Sequence, residues 1–446
     1  MLKKLLALLL ASFMLLPAAL AEKQPIPDLL RFTQETQSRE PVSEDVYILR
    51  TYPATANQQV NAEMRQVVDS LVEAARPFLP TGKVQRDKSY LRAGAGISRT
   101  GQSWMSFLTL ACVKHEYEQI HVELDARAYD LATGARLTMD DLFAPDSEGW
   151  DVMAQAVRAQ LSAYFPEETC DPAALDTLCT RETLANTPFT LTAGSLRLHY
   201  RADVLYPGRS TLMHVRLLYP DIRPSMRPEA QRQTDNSCYK LAALTFDDGP
   251  AHLYSINVID TLRAHGADAT FFLVGNMMAA GHYVLAYEHD AGFPLAYHSY
   301  EHITEGPVVA AVQDELTRFN RELSAVTGTT AAIMRAPGGD ESPYVKANVG
   351  LPLIHWSVSS GDGTDNRAYD EAAIRTISAN AGGGAQDGAV ILMHDLRQAC
   401  YRYLAPTLDR LEERGFLCVT VEELFASYGV RLEPNVVYYG AEAAAP

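Results

Sequence analysis

Leu241-Ala242-Ala243-Leu244-Thr245-Phe246-Asp247-Asp248-Gly249-Pro250 runs an apolar stretch straight into two adjacent carboxylates and a Gly-Pro turn. The first part has the length and composition of a strand buried on both faces. Two neighbouring acids at the end of such a strand are costly to place unless a cation or a proton donor meets them. Outward from this stretch, residues 253–265 read as an amphipathic helix and 269–274 as a second strand. A long helix is expected over 307–327 and further strands over 353–358, 389–394 and 416–420. Short apolar runs alternating with helices predict an α/β fold whose sheet is largely parallel. Sheets of that kind carry their working residues at the carboxyl ends of strands, and Asp247-Asp248 falls at one.

The chain before this region is patterned differently. Residues 58–76 carry Val60, Met64, Val67, Val68, Leu71 and Val72 at helical spacing, and Pro77 ends the run. Residues 104–113 and 120–131 alternate as strands, with Thr133-Gly134 as a turn; a helix over 150–164 and strands over 189–192, 196–200 and 213–218 follow. Together these predict a smaller α+β domain over 40–220. Between 221 and 238 apolar periodicity is lost and Pro224, Pro228, Arg223, Arg227 and Arg232 collect, which reads as a linker to a second domain over 239–430. Trp104 and Trp150 are expected in the core of the first domain.

The 446 residues, 47% of them hydrophobic, are ample for two packed domains and exclude disorder along the whole chain. With 38 basic against 55 acidic side chains, the formal charge of −17 repels a phosphate backbone and argues against nucleic acid as a partner. Lys3 and Lys4, the apolar run 5–16 and Ala19-Leu20-Ala21 make 1–21 a secretory signal peptide. The alternative is an uncleaved N-terminal anchor, but a bilayer span needs ~20 apolar residues. No later stretch has that length, so the expectation is a secreted or cell-wall-associated protein without a membrane span in the mature chain. Cys112, Cys170, Cys179, Cys238, Cys400 and Cys418 allow three bridges in an oxidising compartment, and Cys170 with Cys179 and Cys400 with Cys418 are the first pairs to test. None forms a C-x-x-C arrangement, which argues against a cysteine zinc site. Oligomeric state has no signal in the sequence.

His298-Ser299-Tyr300-Glu301-His302 spaces two imidazoles so that both can reach one ion. Alone, this cluster or the Asp-Asp-Gly-Pro turn is compatible with a polar surface loop. Together, one carboxylate and two histidines with a position left for water are the minimal hydrolytic metal site.

At this point the chain resembles a family. Thr245-Phe246-Asp247-Asp248-Gly249-Pro250, His298-Ser299-x-x-His302, Arg335-Ala336-Pro337-Gly338-Gly339, the stretch 356–362 from Trp356 to Asp362, and Leu392-Met393-His394 stand in the order of the five motifs of polysaccharide deacetylases of the NodB-homology type, carbohydrate esterase family 4. Residues 269–275 also resemble that family's second strand. The resemblance implies a distorted (β/α) barrel in which Asp248, His298 and His302 bind a divalent metal, zinc (Zn2+) first. It implies that Asp247 is the general base with Arg335 orienting it, and that His394 is the general acid with Asp362 fixing its tautomer. Gly338 and Gly339 would let the backbone approach substrate, and Leu392 would wall a pocket for the acetyl methyl group. The chain departs from the common pattern with Gly338 where an aromatic residue is frequent, Asp362-Gly363 instead of Asp-Trp, and Ser359 where an acid is common. Tyr129-Asp130-Leu131, Thr133-Gly134, Leu137, Asp140-Asp141-Leu142-Phe143 and the segment 196–200 resemble the extracellular domain of lysozyme-sensing anti-sigma factors, a module that precedes the catalytic domain in some bacterial peptidoglycan deacetylases. The implied function is deacetylation of cell-wall glycan, with peptidoglycan as leading substrate. Chitooligosaccharide or acetylxylan are alternatives, as is a catalytically silent cell-wall-binding or sensor protein.

Overall fold

The computed structural model describes residues 23–36, 39–81, 89–252, 254–302, 312–340, 342–363, 370–397 and 399–441. The leader or anchor expected over 1–21 and the start of the helix expected over 307–327 lie outside them.

The N-terminal half is built on a sheet of β1 (Phe32–Thr36), β2 (Glu40–Pro41), β3 (Val46–Thr55), β4 (Ser89–Thr100), β5 (Trp104–His115), β6 (Glu118–Asp130) and β7 (Ala135–Leu137), ordered β1-β3-β4-β5-β6-β7 with β2 also on β3. Helix α1 (Gln58–Ala75) lies on it because Val60, Met64, Val67, Val68 and Val72 share one face. The Asn57 side chain caps it by accepting from the Gln59 and Val60 N–H groups. Helix α2 (Gly149–Leu161) packs Trp150, Met153, Val157 and Leu161 onto a second sheet, β8 (Phe189–Leu191), β9 (Ser195–Arg201) and β10 (Leu212–Leu218). Trp104 and Trp150 are both buried.

Residues 221–238, expected as a linker, are packed and partly helical: a turn at Tyr219–Ile222 leads into α3 (Pro228–Thr234), and Ile222, Met226 and Ala230 are buried. Pro228 sits at a first helical position, where a missing N–H costs nothing, so the proline that signals a break in sequence starts a helix here. Asn236 then ties the segment down by donating to Thr100 Oγ1 and Ala193 O, each at 2.8 Å.

In the C-terminal half β11 (Lys240–Asp247) is central. It is followed by α4 (Ser255–His265), β12 (Thr270–Leu273), α5 (His282–Asp290), β13 (Leu295–Tyr297), α6 (Val312–Thr327), β14 (Leu353–Ile354), β15 (Val358–Ser359), β16 (Ala389–His394), α7 (Ala399–Glu413), β17 (Phe416–Val419), α8 (Val421–Ser427) and β18 (Val437–Tyr438). The sheet runs β13-β12-β11-β16-β15, with β17 beside the first half of β11, and every pairing in it is parallel. Single bridges from Tyr297 to Met334 and from Met334 to Leu353 continue the ladder, and β14 pairs in parallel with β18. The strand expected over 353–358 is split in two for a definite reason. The carbonyls of Ile354, which ends β14, and of His355, just past it, accept from the Arg335 guanidinium at 2.9 and 3.0 Å.

The halves share their interior. One core cluster unites Leu108, Leu110 and Cys112 of β5 with Phe246, Leu262 and Phe271 of the parallel sheet and its helix. Burial also extends to charges: Arg197 on β9 meets Asp268 at 2.5 Å and Glu423 of α8 at 2.7 Å. All six cysteines are free thiols. Cys400 stands in the first turn of α7, whose length of about 20 Å carries the chain away, and β17 brings Cys418 back only part of the distance. A disulfide needs Cα atoms within about 7 Å. Cys170 and Cys179, which flank the short helix Pro172–Leu178, are likewise unbridged. Among the described residues no helix is long and apolar enough to cross a membrane.

Candidate active site

Parallel register sets the first two groups. Asp247 is the last residue of β11 and stands opposite His394, the last of β16, so adjacent strands deliver a carboxylate and an imidazole to one end of the sheet. Past the strand the backbone turns sharply: Asp248, Ser299 and His302 all have positive φ, at 75°, 65° and 52°. That conformation is uncommon for non-glycine residues, and here it turns two loops towards each other.

Asp248, His298 and His302 offer one ligand atom each, and the three atoms lie within 4.8 Å of one another. His298 Nε2 and His302 Nε2 stand 3.4 and 2.9 Å from Asp248 Oδ1, yet that buried oxygen has no hydrogen-bond partner among the described residues. The rings approach it without the alignment of an N–H donor, as ligands do when they face a common third atom. His298 is oriented from behind: its Nδ1 lies 2.8 Å from the Arg335 carbonyl, which fixes the proton there and leaves Nε2 with a lone pair. Burial would raise the Asp248 carboxyl, but the close approach of His298 and His302 outweighs it and holds the group well below the carboxylate range. Two imidazoles, one carboxylate and an orphaned buried oxygen suit a divalent cation that accepts nitrogen and oxygen ligands, zinc among them.

Arg335 is entirely buried beneath the site. Its Nη1 donates to Asp247 Oδ1 at 2.7 Å and to Thr245 Oγ1 at 2.8 Å, and its guanidinium lies 4.3 Å from the Phe272 ring centroid. With the carbonyls of Ile354 and His355 also accepting, every nitrogen of the guanidinium is engaged and Asp247 is held in one pose, with Oδ2 turned 3.7 Å from His298 Nε2.

His394 is held on its far side. Its Nδ1 is 2.8 Å from Asp362 Oδ1, and its backbone N–H donates to Asp362 Oδ2 at 2.8 Å. Asp362 also receives Ser360 Oγ at 2.7 Å and the Tyr403 hydroxyl. Burial pulls the His394 imidazole down, but the bond to Asp362 and the charges of Asp362, Asp247 and Asp248 outweigh that and push it up to about 9. Burial likewise raises Asp362, and the bond to His394 turns the balance so that it ends below its ordinary value.

These groups surround one cavity of about 280 Å³, to which Asp247, Asp248, His298, His302, Asp362 and His394 all contribute. Leu392 and Gly338 also line it. Gly339, expected beside them, backs instead onto His355 and Trp356, where an added Cβ would stand 3.1 Å from each ring. Tyr403, Ser360 and Thr245 escaped the sequence reading. Tyr403 lies on α7 beside Leu404, Leu408 and Leu411 and reads as one more core position; its hydroxyl is the sole hint of another role. Ile374 and Ile377, on an amphipathic helix in sequence, form an apolar wall of the cavity. Chemically the cavity offers a residue cluster that could hold a cation, a buried carboxylate beside it, and an imidazole with one nitrogen anchored and the other left for a reacting group.

Residues 234–351 match the family model described as polysaccharide deacetylase. The peptidoglycan-N-acetylglucosamine deacetylase of Listeria monocytogenes is 29% identical over 322 residues, which are 70% of this chain and 66% of the relative, so the chain spans just under two thirds of that protein's length. A peptidoglycan-N-acetylmuramic acid deacetylase of Bacillus subtilis is 27% identical over 208 residues, covering 44% of this chain and 76% of the relative. Among solved structures, the Xyl-CE4 domain of a multidomain xylanase from the hindgut metagenome of Trinervitermes trinervoides is similar at 28% identity and a TM-score of 0.40, covering 46% of this chain and 98% of that one. Residues 234–351 thus carry a polysaccharide deacetylase domain.

Proposed function

We propose that this protein hydrolyses N-acetyl groups of amino sugars in cell-wall glycan, peptidoglycan foremost, releasing acetate. The observation that carries the reading is the single cavity in which the Asp248-His298-His302 cluster, the Asp247-Arg335 pair and the His394-Asp362 pair meet. Relatives whose names specify peptidoglycan support the substrate, and the relative named a chitooligosaccharide deacetylase, from a Bradyrhizobium strain, marks the nearest alternative.

A divalent cation held by Asp248, His298 and His302 would supply a Lewis acid that activates water near neutral pH and polarises the acetamide carbonyl. The protein's own groups do the rest. Asp247, oriented through Oδ1 by Arg335, takes the water proton on Oδ2. His394, anchored through Nδ1, gives the proton on Nε2 to the departing sugar nitrogen as the C–N bond breaks. Leu392 offers an apolar wall to the acetyl methyl group, and the absence of a side chain at Gly338 leaves the rim open to a polymer. Amines are poor leaving groups, and a separate proton donor is what their departure requires.

The continued ladder from Tyr297 through Met334 to Leu353 supports reading the parallel sheet as a distorted barrel. The leader read over 1–21 supports export to the wall. Incubating purified protein and zinc with peptidoglycan and with N-acetylglucosamine oligomers tests the reading. Loss of one acetyl unit per disaccharide by mass spectrometry is expected, and binding of wall sacculi without acetate release from any glycan would replace the enzyme with a silent wall-binding protein.

A further inference from the structure

We infer that the N-terminal half supplies part of the glycan groove: Tyr117, at the tip of the β5–β6 hairpin, forms with His252 a stacking platform for a sugar flanking the one attacked. The inference rests on the proposed deacetylase reading and extends it to a second region of the molecule.

Three observations place the platform. First, the turn itself is built against preference. His115 pairs with Glu118, so the hairpin closes through Glu116 and Tyr117 alone, and Glu116 sits at φ 53°. Two-residue hairpin turns with positive φ favour glycine or asparagine, and a glutamate followed by a 48% exposed aromatic ring is neither a turn-former nor a core residue. Local strain coupled to an exposed aromatic points to use.

Second, the tip is docked. The Tyr117 carbonyl accepts from Tyr283 N at 2.9 Å, and Glu118 lies 2.9 Å from His282, both on the first turn of α5. Gly281, just before that turn, packs on Pro250 of the Asp-Asp-Gly-Pro turn, where a Cβ would stand 3.1 Å from the proline ring.

Third, the location is the working face of the sheet. The His252 ring lies 5.4 Å from that of Tyr117. His252 follows Asp248 by four residues, so its Cα is within about 14 Å of the Asp248 Cα. Both the loop after β11 and the start of α5 follow the carboxyl ends of parallel strands, the end at which Asp247, Asp248 and His394 line the cavity. A pyranose presents an apolar C–H face, and an extended glycan passing over a cavity of about 280 Å³ must rest its neighbouring sugars on the rim.

Chain length is the discriminating variable. Kinetics with the dimer and the pentamer of β-1,4-linked N-acetylglucosamine are compared for wild type, Tyr117→Ala and Tyr117→Phe, alongside calorimetric binding of the pentamer. Tyr117→Ala is expected to raise KM and weaken binding for the pentamer by about 3- to 10-fold, the range of an aromatic contact. KM for the dimer and kcat for both should stay unchanged, and Tyr117→Phe should behave as wild type. Equal losses on dimer and pentamer, or no loss on either, overturn the platform. Pentamer binding that depends on Tyr117 in a wild-type protein releasing no acetate would sink the deacetylase reading and leave the platform standing.

Discussion

Two carboxylates adjacent in sequence have different surroundings. Asp248 faces imidazoles, whereas Asp247 is clamped by a buried guanidinium. The proposed roles predict separable losses. Asp247→Asn should reduce turnover by roughly 10²- to 10⁴-fold, the scale of general base catalysis, while metal content by atomic absorption stays at the wild-type level. His298→Ala should lose metal and activity together; equal metal loss in both variants would contradict the division of labour. The proton donor makes a pH prediction. His394 acts as an acid only while protonated, so activity falls as pH rises through its ionisation, and Asp362 is what holds that ionisation high, at about 9. Asp362→Asn should therefore move the alkaline limb of the kcat–pH profile to lower pH, by about 1 to 3 units. An unmoved limb would remove His394 from the acid role. At this scale the sequence was informative for the ionisable groups: Asp247, Asp248, His298, His302, Arg335, Asp362 and His394 converge, whereas Gly339 turns away and Tyr403 joins them unannounced.

Secondary-structure elements bring in what the motifs omit. Helix α7 delivers the Tyr403 hydroxyl to Asp362 and His394 O, the latter at 3.1 Å, from a position that hydrophobic periodicity assigns to the core. Tyr403→Phe keeps the packing and deletes the donor, so kcat should fall roughly 10-fold with little change in thermal midpoint, as for other groups that orient a catalytic side chain. A fall in midpoint without a fall in kcat would make the tyrosine purely structural. Elements hidden from the sequence share one cause, a neighbour that overrides local pattern. The strand β4 reads Ser89-Tyr90-Leu91-Arg92-Ala93-Gly94-Ala95-Gly96-Ile97-Ser98-Arg99-Thr100, poor in strand formers, because a Cβ at Gly94 would stand 3.1 Å from Thr51 and one at Gly96 2.9 Å from Arg263. Helix α5 has no polar face to set its period, since Tyr283 through Asp290 are all buried between the halves. The supposed linker is packed and partly helical because Asn236 and the buried Ile222 and Met226 anchor it to the first half.

On the scale of the molecule, the two halves are joined by charge as well as by apolar packing, and the joint can be tested by titration. Glu423 closes the first turn of α8, its Oε2 accepting from Thr420 N, while its Oε1 accepts from Thr192 Oγ1 at 2.8 Å and meets Arg197 on β9 at 2.7 Å. Burial would raise this carboxyl, but Arg197 leads the groups that outweigh it, and the carboxyl is held at about 2, below its ordinary value. A depressed carboxyl contributes its stability fully above the unfolded-state value near 4.5 and loses it as pH falls towards about 2. Glu423→Gln leaves Arg197 buried with Asp268 as its remaining carboxylate, so it should cost about 3 to 5 kcal/mol at neutral pH. The gap between wild type and variant in denaturant unfolding should then close as pH is lowered through that interval. Asp268, which burial pushes up to about 6 against the pull of Arg197, is also raised by the Glu423 charge, so its own titration moves down in the variant and is part of the pH dependence of the gap. A gap that persists unchanged at pH 2, or is absent at pH 7, would mean that apolar packing alone holds the halves together and that the charge triad is incidental.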